Sequence, residues 1–185
     1  TFEEYFLCKQ ELLLHSKKMV MNHESDHFEV LENLCQINHI PYLTYGGSTA
    51  DYPVIAMDDP RAFELKSATD PLAINGNYAL TMFGHFNHEN AAAALLATAW
   101  LETPRNHMKE SLSKCVIPGR MTLFDLPNGA LAFVDFAHNY LSLLSMGQLA
   151  KEIRPHGKAI VMTGSAGGKA LSRRKDMGLA ITQIY

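Results

Sequence analysis

Apolar side chains recur with a helical period between residues 2 and 15. At about 100° per residue, Phe2, Tyr5, Phe6 and Leu13 fall on one side, and Glu3, Glu4, Gln10 and Glu11 on the other. Lys9 lands in the middle of the apolar side. Leu7 and Leu14 fall within the polar arc, so the pattern also suits a helix buried on most of its surface, with Lys9 still pointing inward. Thr1 and Glu4 have the spacing of a capping box at its start. A short strand over Met19 to Asn22, a helix from about Asp26 to Ile37 and a strand near Tyr42 to Tyr45 continue as α/β alternation.

Residues 46 to 83 lose the helical period. Glycine and proline punctuate strand-like pieces such as "YPVIAM", "AFELKSA" and "NYALTMF", which predict a small antiparallel excursion. "HENAAAALLATAWLE" is the clearest helix in the chain by intrinsic propensity, and "MKESLSKC" predicts another. After "IPGR", the strands "MTLFDL" and "ALAFVDFAH" flank a Pro-Asn-Gly turn. A helix over about Leu141 to Glu152, the strand "KAIVMTG" and a last helix from about Arg174 predict a βαβ unit. The expected domain boundary lies near Pro118 and Gly119, dividing the chain into residues 1–118 and 119–185.

Composition narrows the class. The 185 residues are 47% apolar and 19% charged, enough for one good-sized core or two small ones and unlike a disordered chain. A net charge of -3 argues against a nucleic-acid partner but leaves room for a local phosphate pocket. Cys8, Cys35 and Cys115 are far apart and odd in number, which suggests reduced thiols in a cytoplasmic protein rather than a zinc knuckle or a disulfide framework. No apolar run approaches the roughly 20 residues of a membrane span, so no membrane association is expected. The chain opens in mid-pattern, as though cut from something longer.

Four places could carry chemistry. An amine on the apolar side of a helix must neutralise, pair or be modified, or its stem must snorkel to water; Lys9 faces that choice. Asn87 and Asn90 stand at the start of the alanine-rich helix, and an Asn amide matches the N6 and N7 edge of adenine. The plainer alternative has Asn87 capping the helix and Asn90 in solvent. His85 and His88 lack an HExxH pattern or a third ligand, so they read as ordinary polar residues. Asp135 and His138 lie at the carboxyl end of an apolar strand leading into a helix, where open α/β sheets bind ligands. Asp135 could accept from ribose hydroxyls, and Arg120 beside Gly119 could reach a phosphate; capping or surface pairing is the alternative for each. Gly164 to Lys169 reads GSAGGK, one residue short of a Walker A loop, with Ala170 where the magnesium-binding hydroxyl belongs.

In order along the chain, these pieces resemble the Mur ligases, specifically the muramoyl-tripeptide synthetase (MurE) branch. "YFLCKQELL" is similar to the family's Tyr-x-x-x-Lys helix and "GHFNHENAAAA" to its GxFNxxNxxAA element. "IPGRM" and "VDFAHN" are similar to its GR(M/F)E and DYAH(N/T)P pair, and "GSAGGKALSRRKDMG" to its GxxGxRDxxKRPxMG loop. The resemblance runs over nearly all 185 residues. It implies an α/β fold in which residues 1–118 are the back half of a central ATPase domain. Residues 119–185 would begin a Rossmann-like carboxyl-terminal domain.

The activity so implied is ATP-dependent amide ligation in peptidoglycan precursor synthesis. ATP phosphorylates the free carboxylate of UDP-N-acetylmuramoyl-L-alanyl-D-glutamate, and the amine of a diamino acid attacks the acyl phosphate. The resemblance makes Lys9 the carbamylated lysine that holds a magnesium ion, and Asn87 and Asn90 the adenine-side asparagines. It sets Arg120 near the ATP phosphates and Asp135 on the ribose, with His138 beside it. A monomeric full-length enzyme is implied. The family's GTxGKT loop, its acidic magnesium ligand and its amino-terminal UDP-binding domain are not in these residues, so the 185 residues alone are expected not to ligate. Gly168, Lys169 and Ala170 replace the usual Asp-Arg-Asp, Lys175 replaces a proline, and Thr122 stands where a glutamate follows Arg-Met. The Ser-Arg-Arg within the loop resembles lysine-adding members and favours L-lysine over meso-diaminopimelate. Rival readings are a folylpolyglutamate synthase, an amidating Mur-like protein, or a non-catalytic nucleotide-binding module.

Overall fold

The structure, a computed structural model, describes residues 2–165 and 171–185. Thr1 of the expected capping box and most of the GSAGGK stretch lie outside the described residues. The chain forms two compact units, Thr1–Cys115 and Val116–Tyr185.

In the first unit, α1 (Phe2–Leu14) and α2 (Phe28–Ile37) flank β1 (Met19–Asn22), and β2 (Tyr42–Gly46) follows. The predicted antiparallel excursion is β3 (Tyr52–Ala56), β4 (Ala62–Leu65) and β5 (Gly76–Ala79). All five strands join one sheet in the order β1-β2-β3-β4-β5, parallel from β1 to β3 and antiparallel from β3 to β5. The parallel ladder between β2 and β3 is short, ending at Gly46 opposite Pro53, a residue with no N–H to donate. Helix α3 (His85–Trp100) packs across β1 to β4, and α4 (Arg105–Lys114) packs against β5. Small alanines at 91 and 92 let α3 sit close on the sheet, where Tyr52, Phe63, Leu65, Ile74 and Tyr78 are fully buried.

The loop before β5 is tied by side chains. Asp70, in the left-handed region at φ 40°, accepts from the Ile74 and Asn75 N–H groups at 2.9 and 3.0 Å and from the Tyr52 hydroxyl at 3.1 Å. Asn75 bridges the loop's other end, accepting from Ser67 N–H and donating to Ser67 carbonyl at 2.6 and 2.8 Å. Burial, reinforced by the Asp70 carboxylate, pushes the Tyr52 phenol up to about 12.

One expectation for α1 is corrected. Its buried line runs through Phe6, Gln10 and Leu13, with Phe6 against the His27 ring and Leu13 in a cluster with Met21, Phe28, Cys35 and Ile40. The stripe is thus rotated by one residue, and Tyr5, Lys9 and Leu12 face outward. Lys9 is exposed rather than inward-pointing, and its Nζ lies 5.3 Å from the Tyr5 ring centroid. The helix is not buried on most of its surface.

The second unit has the hairpin β6 (Thr122–Asp125) and β7 (Leu131–Val134), turned by Pro127-Asn128-Gly129 with Gly129 at φ 78°. Helices α5 (Tyr140–Ile153) and α6 (Leu171–Ile184) pack together around Leu143, Met177 and Ala180. Gly147 permits the close crossing, since a Cβ there would stand 2.5 Å from Ile184 Cγ2. The predicted strand "KAIVMTG" does not form: residues 158–164 have no regular structure. Val161 packs on the core, but Ile160 and Met162 are 84% and 98% exposed, and no neighbouring strand supplies ladder bonds among the described residues.

Candidate functional site

At the carboxyl end of β7 the chain runs Asp135-Phe136-Ala137-His138 before α5 begins. Asn139 caps that helix in a reciprocal box, its side chain accepting from Ser142 N–H at 2.9 Å while Ser142 Oγ accepts from Asn139 N–H at 3.1 Å. Ser142 Oγ also accepts from His138 N–H at 3.1 Å, which anchors the histidine's backbone. The His138 ring is exposed, with Nδ1 2.9 Å from the Phe136 carbonyl. A carbonyl can only accept, so Nδ1 is the donor here, and in the neutral ring Nε2 offers a lone pair.

Asp135 faces a tight turn. Arg120 lies between two left-handed residues, Gly119 at φ 73° and Met121 at φ 46°. The turn is closed by Arg120 N–H to the Ile117 carbonyl at 3.0 Å and by Gly119 N–H to Thr122 Oγ1 at 3.1 Å. Met121 is buried and donates its N–H to Asp135 Oδ2 at 2.9 Å. The exposed Arg120 guanidinium lies 5.1 Å from the Phe136 ring centroid, and that ring is 5.0 Å from the His138 ring. Arg120, Asp135 and His138 therefore gather around Phe136. No carboxylate pairs with Arg120 among the described residues. An exposed unpaired cation beside a half-buried carboxylate has the chemistry to take a phosphate and a hydroxylated sugar.

Phe136 and Met121 were not singled out by sequence reasoning, and Thr122 only as a departure from the family pattern. The signal for Phe136 was its place in "DFAHN": alternation after a strand turns the residue following an inward Asp toward solvent, and an aromatic there is 62% exposed.

In the first unit, the expected residues divide. Helix α3 starts after Gly84, at φ 98°, so Asn87 stands inside the first turn and does not cap it. Asn87 is buried and donates Nδ2 to the Phe83 carbonyl at 2.8 Å, so that N–H fastens the loop before α3. Asn90 is exposed with its amide outward. His85 is an exposed surface residue 3.6 Å from Glu89, whose other oxygen accepts from Asn22 Nδ2 at 3.3 Å. His88 is 3% exposed, stacked at 5.2 Å on Phe63, with Nε2 3.2 Å from the Pro60 carbonyl and no partner for Nδ1. Burial holds its pKa below the ordinary histidine value, and the neighbouring His85 lowers it further. Among the described residues no three His, Cys, Asp or Glu side chains could hold a metal ion together.

No protein-family model matches the chain. Among solved structures, a UDP-N-acetylmuramoyl-L-alanyl-D-glutamate--2,6-diaminopimelate ligase superposes with a TM-score of 0.64 at 24% identity, covering 100% of this chain and 39% of that one. The fold is that of Mur ligase domains. Along its whole length the chain is similar to tripeptide synthetases of the Mur ligase family. It is 37% identical over 188 residues to UDP-N-acetylmuramoyl-L-alanyl-D-glutamate--L-lysine ligase of Enterococcus faecalis, covering 100% of this chain and 37% of that protein. It is 34% identical over 181 residues to UDP-N-acetylmuramyl-tripeptide synthetase of Lactococcus lactis, covering 98% and 36%. The chain thus spans little more than a third of these relatives. No helix among the described residues is long and apolar enough to cross a membrane.

Proposed function

We propose that this chain is a segment of an ATP-dependent ligase that adds L-lysine to UDP-N-acetylmuramoyl-L-alanyl-D-glutamate. The single observation that carries the reading is its relation, from end to end, to proteins named as L-lysine ligases of that substrate. The first unit then belongs to the central ATP-binding domain, and the second begins the carboxyl-terminal domain. A cytoplasmic, monomeric full-length enzyme goes with this reading.

ATP would supply the phosphoryl group that activates the substrate carboxylate for attack by the lysine amine. Arg120 would neutralise negative charge on the phosphates, as a planar donor set that no carboxylate competes for among the described residues. Asp135 has one oxygen engaged by Met121 N–H, and its other oxygen would accept from a ribose hydroxyl. His138 Nε2 would serve as a neighbouring acceptor. Asn90 suits the adenine edge. Asn87 would act there through Oδ1 or its second Nδ2 hydrogen, the first being committed to the Phe83 carbonyl. Lys9 would hold magnesium as a carbamate, one hard oxygen ligand in a set completed by donors outside this chain's described residues.

The test is ligation of labelled L-lysine to the UDP-linked dipeptide by the full-length polypeptide carrying this chain. Activity is expected with L-lysine and ATP, and equal or better use of meso-diaminopimelate would overturn the substrate assignment. Lys9→Ala is expected to abolish ligation, with partial rescue by short carboxylates. Arg120→Ala is expected to lower kcat by about 100-fold or more, the scale for removing a donor at developing charge. The 185 residues by themselves are expected to show no ligation.

A further inference from the structure

The residues after β7 do two jobs on one turn. We infer that Asp135 and Phe136 are positioning residues for Arg120, Asp135 fixing its backbone and Phe136 its guanidinium. The functional consequence rests on the ATP reading above, while the geometry stands on its own.

Arg120 is exposed, and its guanidinium lies 5.1 Å from the Phe136 ring centroid. A long flexible cation on a turn explores many rotamers unless something holds it. Its backbone is under constraint on both sides. Gly119 adopts φ 73° without penalty, but Met121 at φ 46° has a side chain, and that conformation persists only where surroundings impose it. They impose it in two ways: the Met121 side chain is 3% exposed, and its N–H is held by the Asp135 carboxylate at 2.9 Å, a charge-assisted bond. Thr122 adds a third tie through its hydroxyl to Gly119 N–H at 3.1 Å.

The next residue along, Phe136, then lies under the guanidinium at 5.1 Å, within the range of a cation–π contact. One dipeptide therefore sets both where Arg120 stands and where its charge points. The phosphate-side arginine and the ribose-side aspartate become one mechanical unit instead of two independent contacts. Removing the carboxylate should cost nucleotide binding through the ribose and, separately, mis-set the arginine.

NMR of the 185-residue chain reads the geometry without any nucleotide. The unsubstituted protein should show Arg120 side-chain resonances shifted by the Phe136 ring current, cross-peaks between Arg120 side-chain protons and that ring, and a Met121 amide protected from exchange. Phe136→Leu should abolish the ring-current shift, and Phe136→Tyr should restore it. Asp135→Ala should expose the Met121 amide and collapse the Arg120 shift, while Asp135→Asn, still an acceptor, should keep both. Absence of Arg120–Phe136 cross-peaks in the unsubstituted chain overturns the inference even if the substituted chains do not fold; so does an Arg120 shift unchanged in Phe136→Leu. In the full-length protein, Phe136→Leu should lower kcat more than it raises KM for ATP, with Phe136→Tyr near the starting values. The losses in Asp135→Ala and Arg120→Ala should combine to less than their product; losses that multiply fully overturn the coupling. A protein that makes no use of ATP would instead break the functional reading and leave the cross-peaks in place.

Discussion

The two units differ in the size of the core each builds. The first closes a five-stranded sheet under α3, with Tyr52, Phe63, Leu65, Ile74 and Tyr78 at 1% exposure or less. The second rests on Leu143, Met177 and Ala180 between two helices and carries a hairpin of only two strands, an element of marginal stability by itself. Ile160 and Met162 stay in solvent there, although their alternation is that of a strand. The first unit therefore builds the larger core, while the second holds a poised turn on a thin support. The candidate phosphate and ribose contacts sit on the less buried unit, where a few hydrogen bonds set the geometry rather than a dense core.

The sharpest way to break this contrast is to cut the first core. Phe63 has no exposed surface and stacks between Tyr78 at 5.6 Å and His88 at 5.2 Å. Phe63→Ala removes a ring whose deletion typically costs about 3–5 kcal/mol, part transfer and part cavity. The chain's single tryptophan, Trp100, ends α3 in the first unit, so its fluorescence reports that unit alone. A large drop in the denaturant midpoint read by Trp100 is expected. A change under about 1 kcal/mol would show that the first unit does not depend on this core.

A smaller effect separates the units by pH. Burial, and then the nearby His85, lower the His88 pKa in the fold; the Pro60 carbonyl and Asp59 act in the opposite sense. The unfolded chain binds the proton more readily, so stability is fully present above the ordinary histidine value of about 6.5 and falls as pH drops below it. One proton limits the slope to about 1.4 kcal/mol per pH unit. His88→Leu should flatten this component of the Trp100 transition between about pH 7 and pH 5. An unchanged slope in His88→Leu would move the titration to another group.

How far the chain's own pattern revealed these units follows the same divide. β1, β2 and the antiparallel excursion of the first unit were legible because alternation and punctuation coincide with burial there. The alanine-rich helix was legible from propensity, since no competing pattern interrupts it. Helix α1 was misread by one residue: Tyr5 and Leu12 are apolar yet outward, so hydrophobicity pointed to the wrong side, and only the contacts of Phe6 and Leu13 fix the rotation. "KAIVMTG" has the composition of a strand, but a strand needs a neighbour, and a pattern along one segment carries no information about a missing partner. The site followed the same logic. Arg120, Asp135 and His138 were legible as residue types beside a strand end. The Met121 amide that joins two of them depends on a left-handed φ at a non-glycine residue, which no local pattern announces.

The smallest effect tests whether the second unit really depends on a few local bonds. Asn139 accepts from Ser142 N–H at 2.9 Å, and Ser142 Oγ returns the favour to Asn139 and His138 N–H at 3.1 Å each. Asn139→Ala removes one arm of this box and should cost about 1 kcal/mol, as helix N-caps do. In the first unit such a loss would be a modest fraction of the total. In the second, whose α5–α6 contact is built on Leu143, Met177 and Ala180, it should raise amide exchange through the first turn of α5 and loosen the His138 backbone. The Trp100 transition should not move. If Asn139→Ala shifts the Trp100 midpoint while leaving α5 exchange untouched, the two units are not separate in stability, and the contrast drawn from their cores fails.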